Sequence, residues 1–362
     1  MNGSALSAMK QRNGVQHART DGRTTAELIR LLATKQRLLV LTHANPDPDS
    51  LASAAGLVHL ARTRLGMDAR FAFSGRIMRA ENCEMVRACA IEMTPQDQID
   101  VSQYDCLAVV DTQPGFGHTH LPPGRAIDIV VDHHVPPKIE RPVAPIVFND
   151  VRLAVGATSS IVTGYLMDAG VEVPGLLATA LFYGLLTDTA DLSRDTSALD
   201  VRAYEYLAPR VDRAILRAIQ KPELSSDYYR TLREALNSVR IYGGLVLCSL
   251  GRIKAPEMVA EVADLLMRLE GKQTVICGGL VGATYYVSLR TELARDAYDI
   301  LGAALDGEGS FGGHGRVAGG SVKLPDDDER TVKRFERRLE KNALEALGLE
   351  GTSVAGLGGT KD

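Results

Sequence analysis

The chain has 362 residues, long enough for two domains, and its 45% hydrophobic and 24% charged content excludes a largely disordered protein. A formal net charge of −4 excludes binding to a long nucleic-acid duplex through many phosphate contacts, so an anionic partner must be small or short. No apolar run reaches the roughly 18 residues of a membrane span, and residues 1–22 lack the apolar centre of a signal peptide. These features predict a cytoplasmic protein without a membrane partner.

The first elements along the chain predict a β-α-β unit. Residues 1–22 are polar and predict a mobile tail, and residues 25–32 predict a first helix. The continuous apolar run within residues 37–42 is typical of a strand buried on both faces. A helix with one apolar stripe over residues 50–65 and a strand over residues 70–73 complete the unit.

Two further apolar runs, residues 106–110 and 126–131, repeat the pattern of a buried strand, and each is followed by an aspartate. Together with the first unit they predict a parallel α/β domain over residues 23–192. Residues 193–240 are rich in Leu, Ala and Arg at helical spacing, interrupted by Pro222. They predict a helical connector.

A smaller second α/β domain is predicted over residues 241–350. It has strand-like runs at residues 244–250, 274–280 and 283–289, and a helix is predicted over residues 256–269. The Gly-rich residues 351–362 that follow predict a second mobile tail.

Carboxylates and imidazoles follow the apolar runs of the first domain. Because the carboxyl ends of parallel strands meet at one edge of a sheet, we expect these side chains to converge. Two divalent cations a few Å apart need several carboxylates, one of them bridging, and imidazoles that complete the coordination. The candidate metal ligands are His43, Asp47, Asp49, Asp111, His133 and Asp188. Asp111, alone at the end of its strand, is the natural bridge, and this mixture of ligands favours Mn²⁺, with Mg²⁺ or Co²⁺ as alternatives.

Several of these residues also have a structural interpretation when each is taken alone. Asp49 can cap the helix that begins near Ser50, and Asp132 can be a turn residue. His43 can satisfy a hydrogen bond within its loop. Within a metal centre, we expect Asp132 and His134 to contact the metal ligands or the substrate rather than to bind the cations themselves.

Four stretches resemble the motifs of the DHH phosphoesterase family in order and spacing. They are His43-Ala44-Asn45-Pro46-Asp47-Pro48-Asp49, Val110-Asp111, Asp132-His133-His134 and Thr187-Asp188-Thr189. The resemblance implies a phosphoesterase in which the six candidate ligands hold two Mn²⁺ ions. It also implies that Asp111, His133 and His134 act in catalysis. Pro48 stands where the family commonly has a small residue, and it stiffens the loop.

A second resemblance lies in the smaller domain, where Gly312-Gly313-His314-Gly315-Arg316-Val317-Ala318-Gly319 is similar to the signature of the DHH-associated substrate domain. Alone, such a Gly-rich loop is most often a turn. With the metal motifs it implies a phosphate site formed by backbone N–H groups and two side chains. The implied contacts are Gly312, Gly313, His314, Arg316 and Gly319, and the stretch Ser288-Leu289-Arg290 resembles an element of the same domain that adds Arg290.

Within the family, the two-domain length and the acidic charge favour the type that hydrolyses short oligoribonucleotides (nanoRNA) and 3′-phosphoadenosine-5′-phosphate. The implied partner is therefore a short RNA or a nucleotide bisphosphate. A homodimer is compatible with the resemblance, although no residue pattern demonstrates one. The alternatives are a phosphodiesterase for linear dinucleotides derived from cyclic dinucleotides, and a non-catalytic DHH scaffold.

Two other features carry weaker signals. His118 and His120 lie two residues apart in a Gly- and Pro-containing loop, which predicts solvent-exposed side chains rather than a metal-binding pair. Residues 156–160 predict the start of a helix with its own cap.

Overall fold

A computed structural model of the chain describes residues 23–136 and 145–357. The chain divides between Pro222 and Glu223 into two compact units, and each unit contains its own six-stranded sheet. The predicted tail over residues 1–22 and the end of the predicted tail over residues 351–362 lie outside the described residues.

The sheet of the first unit is entirely parallel. Its strands are β1 (Arg37–Leu41), β2 (Asp68–Phe73), β3 (Thr94–Pro95), β4 (Cys106–Val110), β5 (Ile129–Asp132) and β6 (Phe148–Val151). They lie in the order β3-β2-β1-β4-β5-β6, so the succession of strands reverses direction between β1 and β4. Leu38 contributes to one hydrophobic cluster and Leu39 to another, because successive side chains of a strand point to opposite faces.

Seven α-helices complete the first unit within the described residues. They are α1 (Arg23–Leu32), α2 (Pro48–Leu65), α3 (Ala80–Ala88), α4 (Thr158–Asp168), α5 (Gly175–Asp188), α6 (Ala198–Leu207) and α7 (Arg213–Gln220). Helices α2 and α4 pack closely at Gly56, where a Cβ atom would lie only 2.6 Å from Cγ1 of Val162. This close approach brings the first turns of both helices to the carboxyl edge of the sheet.

The residues predicted as a connector divide between the two units. Leu207 of α6 and Leu216 of α7 belong to the main hydrophobic cluster of the first unit. The next helix, α8 (Ser226–Asn237), places Ala235 in a cluster of the second unit. The division falls near Pro222, where proline removes a backbone donor and ends the helical pattern.

The second unit has a mixed sheet. Its strands are β7 (Arg240–Tyr242), β8 (Leu245–Arg252), β9 (Thr274–Val281), β10 (Thr284–Thr291), β11 (Ser310–His314) and β12 (Val317–Lys323), and its remaining helices are α9 (Glu257–Leu266), α10 (Ala297–Ala304) and α11 (Glu329–Leu347). The strand order is β11-β12-β10-β9-β8-β7, parallel only between β8 and β9. Ala355, within the predicted C-terminal tail, pairs with Ile241. The predicted fold class, a parallel α/β domain followed by a smaller α/β domain, is confirmed.

Neither a membrane-spanning helix nor a disulfide occurs in the part of the chain that the structure describes. No helix there is both long and apolar enough to cross a bilayer. The five cysteines, Cys83, Cys89, Cys106, Cys248 and Cys277, carry free thiols.

Candidate metal centre

The candidate ligands lie where the strand order of the first sheet reverses. β1 and β4 are parallel neighbours, with Leu41 paired to Val109, so the segments that follow them start side by side. His43 lies two residues beyond β1, and Asp111 directly follows β4. In open parallel sheets this reversal leaves a crevice at the carboxyl ends of the strands, which is where ligands bind.

One group of ligand atoms forms around His43. Its Nε2 atom lies 3.7 Å from Oδ1 of Asp47 and 3.7 Å from Oδ2 of Asp111. The three residues offer ligand atoms that all lie within 4.8 Å of one another, close enough to hold one cation.

A second group forms around His133. Its Nε2 atom lies 3.2 Å from Oδ2 of Asp188, 3.6 Å from Oδ1 of Asp111 and 4.0 Å from Oδ2 of Asp49. These four residues also offer ligand atoms that all lie within 4.8 Å of one another. Asp111 is common to both groups, with one carboxylate oxygen near each imidazole, which is the position of a bridging carboxylate.

Helix starts position the first two carboxylates. Asp47 is the N-cap of α2 and accepts a hydrogen bond from the backbone N–H of Ser50 at 3.0 Å, and Pro48 opens the helix. Asp49 therefore lies inside the first turn of α2 and does not cap that helix. Its carboxylate oxygens instead accept hydrogen bonds from the N–H groups of Thr158 and Ser159, both at 2.7 Å.

This arrangement replaces the cap predicted within residues 156–160. The N-cap of α4 is Ala157, which has no side-chain acceptor, so the carboxylate of Asp49 satisfies the free N–H groups from another helix. The buried hydroxyl of Thr158 also donates to Oδ1 of Asp111 at 3.0 Å. Thr158 could not be identified as a site residue from the sequence, because no local pattern at the start of a helix shows which distant carboxylate packs against that helix.

Asp188 reaches the centre from a helix rather than from a strand. The apolar residues 181–187 belong to α5, and Asp188 is the last residue of that helix. At Gly184 a Cβ atom would lie 2.6 Å from Oγ of Ser159 and 2.9 Å from the carbonyl oxygen of Pro48. Glycine at this position therefore lets α5 approach the first turns of α2 and α4.

Asp132 lies behind the ligands at the end of β5. It is fully buried, and its Oδ1 accepts hydrogen bonds from the N–H of His133 at 2.8 Å and from Nδ1 of His134 at 2.9 Å. The side chain of Gln113 donates to its other oxygen at 2.8 Å. Asp132 thus fixes the orientation of His134, whose side chain is 43% exposed at the edge of the centre.

Two atoms at the heart of the centre have no hydrogen-bond partner among the described residues. They are Oδ2 of Asp111 and Nε2 of His133, and both are buried. The His133 atom lies 3.2 Å from Oδ2 of Asp188, with which it forms an ion pair when the imidazole is protonated. Buried polar atoms are rarely left unpaired, and a carboxylate oxygen beside an imidazole nitrogen is a suitable donor set for Mn²⁺. The residues present therefore fit a bound divalent cation.

The electrostatics of the centre lead to the same conclusion. Burial, together with the neighbouring carboxylates, raises the pKa of Asp188 to about 6 and raises that of Asp49 well above its ordinary value. Burial alone would lower the pKa of His133, but three nearby carboxylates outweigh it and raise this pKa to about 10. Crowded carboxylates thus retain protons when no cation neutralises them, and a cation replaces those protons on binding.

The loop after Asp111 places His118 close to the candidate metal centre, although its sequence predicts only a solvent-exposed side chain. His118 is exposed, as its loop position predicts, but its ring lies 5.5 Å from the ring of His43. The backbone N–H of Ala44 donates to the carbonyl oxygen of His118 at 2.8 Å. The loop is therefore attached to the first motif, a contact that its Gly/Pro composition does not reveal.

In the second unit, the Gly-rich stretch forms a β-hairpin rather than an open loop. Gly312 pairs with Gly319, and Gly313 has a φ of 141°. A Cβ atom on Gly313 would lie 2.3 Å from the carbonyl oxygen of Val317, so only glycine allows the two strands to approach here. The side chain of His314 lies outside the described part of the structure.

The two predicted arginine contacts both pair with acidic side chains. Nε of Arg290 donates to Oδ1 of Asp264 at 2.5 Å, and its Nη1 donates to the hydroxyl of Ser288 at 2.8 Å. Arg316, at the turn of the hairpin, is exposed and forms an ion pair with Glu292.

Two family models match the chain. The model of the DHH family, N-terminal domain, matches residues 37–185, and that of the DHHA1 domain matches residues 243–341. Five of the six candidate metal ligands lie inside the first range, and Asp188 lies just beyond it. Arg290 and the hairpin lie inside the second range.

Individual proteins are similar to most of the chain. It is 36% identical over 325 residues to an uncharacterized protein of Methanocaldococcus jannaschii, a match that covers 87% of this chain and 65% of that protein. The chain thus spans less than two thirds of the length of this relative. It is 28% identical over 290 residues to a probable manganese-dependent inorganic pyrophosphatase of Streptococcus pyogenes, covering 75% of this chain and 88% of the relative.

A solved structure shares the fold. An exopolyphosphatase-related protein from Bacteroides fragilis superimposes with a TM-score of 0.70 at 15% identity, over 90% of this chain and 98% of that chain. At this identity the likeness shows the fold alone.

Proposed function

The chain belongs to the DHH family and carries a DHHA1 domain, and from this premise we propose that it is a phosphoesterase with a two-cation centre at the carboxyl edge of its first sheet. The single observation that carries the proposal is the shared position of Asp111. Its two carboxylate oxygens lie near two different imidazoles, and each group offers at least three ligand atoms to one cation.

In this proposal, one cation is held by His43, Asp47 and Asp111, and the other by Asp49, Asp111, His133 and Asp188. Mn²⁺ is the first choice because imidazoles and carboxylates are mixed, and a relative named as manganese-dependent supports it; Mg²⁺ and Co²⁺ are the alternatives. When bound, the cations supply an activated water and neutralise charge on the phosphate.

The chain's own residues position that chemistry. Thr158 donates a hydrogen bond to Asp111 and thereby fixes the plane of the shared carboxylate. Asp132 accepts a hydrogen bond from Nδ1 of His134 and, against the opposing effect of burial, raises the pKa of this imidazole. In the resulting imidazolium form, the opposite ring nitrogen, Nε2, also carries a proton, which it can donate to the phosphate or to the leaving oxygen. His134 and Asp111 are thus the residues that we expect to act closest to the reacting phosphate.

The proposed substrates are short oligoribonucleotides and 3′-phosphoadenosine-5′-phosphate. The net charge of −4 disfavours a long polyanion, whereas Arg290 and Arg316 of the second unit can each bind a phosphate of a short one that displaces their acidic partners, Asp264 and Glu292. Linear dinucleotides derived from cyclic dinucleotides carry the same groups and are the second candidate.

The test uses the full chain with Mn²⁺ and compares a diribonucleotide, 3′-phosphoadenosine-5′-phosphate, inorganic pyrophosphate and a 24-mer RNA as substrates. We expect Mn²⁺-dependent turnover with kcat/KM highest for one of the first two. Preference for the 24-mer or for pyrophosphate would contradict the proposed substrate class. Absence of both Mn²⁺ binding and turnover would identify a non-catalytic scaffold.

A further inference from the structure

The loop over residues 112–120 holds an aromatic ring beside the candidate metal centre. It begins after Asp111, which adopts a φ of 57°, and returns to the first motif through the hydrogen bond from Ala44 to His118. Within the loop, the N–H of Thr119 donates to the carbonyl oxygen of Phe116 at 3.0 Å. The side chain of Gln113 anchors the same loop by donating to Asp132.

Four rings form a continuous row across this loop. The ring of Phe116 stacks on that of His118, with centroids 5.4 Å apart and an interplanar angle of 15°. His118 lies edge-on to His43 at 5.5 Å, and Phe116 lies edge-on to His134 at 6.3 Å. The stacked pair therefore extends from a candidate ligand on one side to the proposed phosphate contact on the other.

Core packing does not explain the position of Phe116. Among the described residues, it belongs to none of the hydrophobic clusters that form the cores of the two units. Its side chain is partly buried, and its stacking partner His118 is exposed. An aromatic ring that lies outside the core and beside a reaction centre is typical of a ligand contact.

We propose that the stacked pair of Phe116 and His118 is a substrate-contacting surface that binds the nucleobase adjacent to the phosphate at the metal centre. The inference rests on the proposed function and specifies its substrate class, namely phosphoesters that carry a base next to the reacting phosphate. Every nucleobase has a flat face that stacks on an aromatic ring, so this surface selects for the presence of a base rather than for one sequence. Inorganic pyrophosphate cannot use it.

Steady-state kinetics with a matched set of substrates tests the proposal. The full chain with Mn²⁺ is given a diribonucleotide and dinucleotides in which either base is replaced by an abasic ribose. We expect Phe116→Ala to raise KM for the complete dinucleotide by about ten- to a hundredfold with little change in kcat, as loss of one base stack predicts. The KM for the substrate without the stacked base stays at the wild-type value.

Conservative variants separate stacking from a structural role of the loop. Phe116→Tyr retains the ring and should restore the wild-type KM, whereas Phe116→Leu retains apolar bulk without a ring and should not. If Phe116→Ala weakens complete and abasic substrates equally, or if Phe116→Leu restores KM, the stacking surface is refuted while the proposed function stands.

The absence of tryptophan from the sequence permits a second, activity-free measurement. Phe116→Trp places the only tryptophan of the chain in the stacked pair, where it can be excited beyond the absorption of the eleven tyrosines. With Mg²⁺, its emission should be quenched saturably by adenosine 5′-monophosphate but not by ribose 5-phosphate. Tyr229→Trp, at an exposed position of α8 in the second unit, is the control that neither ligand should quench. Equal responses to both ligands at Phe116→Trp would overturn the proposal. If the wild-type protein hydrolyses no phosphoester, the proposed function itself fails.

Discussion

The candidate metal centre of the first unit and the candidate phosphate contacts of the second unit differ in how their charges are balanced. In the first unit, Oδ2 of Asp111 and Nε2 of His133 are buried and have no hydrogen-bond partner among the described residues. In the second unit, Arg290 is paired with Asp264, and Arg316 is paired with Glu292. In the proposed function, a cation would complete the first site, whereas an anion would have to displace an acidic side chain at the second.

This difference sets the size of the effects that substitutions should have. Buried polar atoms without hydrogen-bond partners are costly, so the first site is built for a ligand that pairs with them. A substitution in the first site should therefore have a large effect. Partly exposed ion pairs contribute little, so changes at the second site adjust affinity only modestly.

Asp111→Asn removes the carboxylate shared by the two ligand groups while it keeps the shape of the side chain. We expect kcat to fall by at least about 10³-fold and stoichiometric Mn²⁺ binding, measured by titration calorimetry, to be lost. Asp195→Asn, an exposed carboxylate after α5, is the matched control and should behave as the wild type. Wild-type turnover by Asp111→Asn would exclude the two-cation centre.

Thr158→Val removes the buried hydroxyl that donates to Asp111 but retains the volume of the side chain. Because such outer partners orient ligands, Mn²⁺ affinity should fall by about ten- to a hundredfold, and Thr158→Ser should largely restore it. Thr163→Val serves as the control, since that buried hydroxyl donates within its own helix to Ser159. An equal loss of affinity in both valine variants would show a general packing defect instead.

The affinity of the centre for Mn²⁺ should rise with pH. Without a cation, the raised pKa values keep a proton on His133 up to a pH of about 10 and on Asp188 up to about 6. These protons, and those that the raised pKa values keep on His43 and Asp49, must leave before the ligands bind, so between pH 6 and pH 9 each unit should raise the affinity by about tenfold or more. Calorimetry in buffers of different ionisation enthalpy measures the released protons, and a pH-independent affinity would contradict this account.

Asp264→Asn should release the guanidinium of Arg290 in the second unit. Because the pair is partly exposed, we expect only a two- to fivefold decrease in KM for a short phosphorylated substrate, corresponding to about 0.5 to 1 kcal/mol. Asp227→Asn removes another exposed acidic partner of the same unit and should leave KM unchanged. An increase in KM at Asp264→Asn would mean that the acid positions Arg290 rather than competes with substrate.

The sequence predicted four of the six strands of the first sheet, β1, β2, β4 and β5, but not the short β3 and β6, which lack a continuous apolar run. The prediction over residues 37–42 exceeds β1 by one residue and that over residues 106–110 coincides with β4, since a strand buried on both faces has no polar positions that interrupt its apolar run. The run 181–187 is equally apolar but lies in a helix, α5, that is enclosed by other helices. Periodicity cannot separate these two cases.

The sequence also identified the residues that converge, but not how each one is held. His43, Asp111 and His133 carry chemically distinctive side chains at the ends of apolar runs, so their positions could be predicted from the chain alone. The cap that Asp49 provides to α4 joins residues more than a hundred positions apart. No local pattern encodes such a contact, and the same holds for the stacking of Phe116 on His118.

By itself the sequence determined which elements form, the family to which the chain belongs and the chemical types of its ligands, because apolar runs and charged side chains are local properties. Only the tertiary structure decided that Asp111 is common to the groups of candidate ligands, that Thr158 and Asp132 hydrogen-bond to Asp111 and His134, and that the arginines of the second unit are paired with acids. Those relations depend on strand order and helix packing. Both arise from long-range burial of apolar surface, which brings together residues that are distant along the chain.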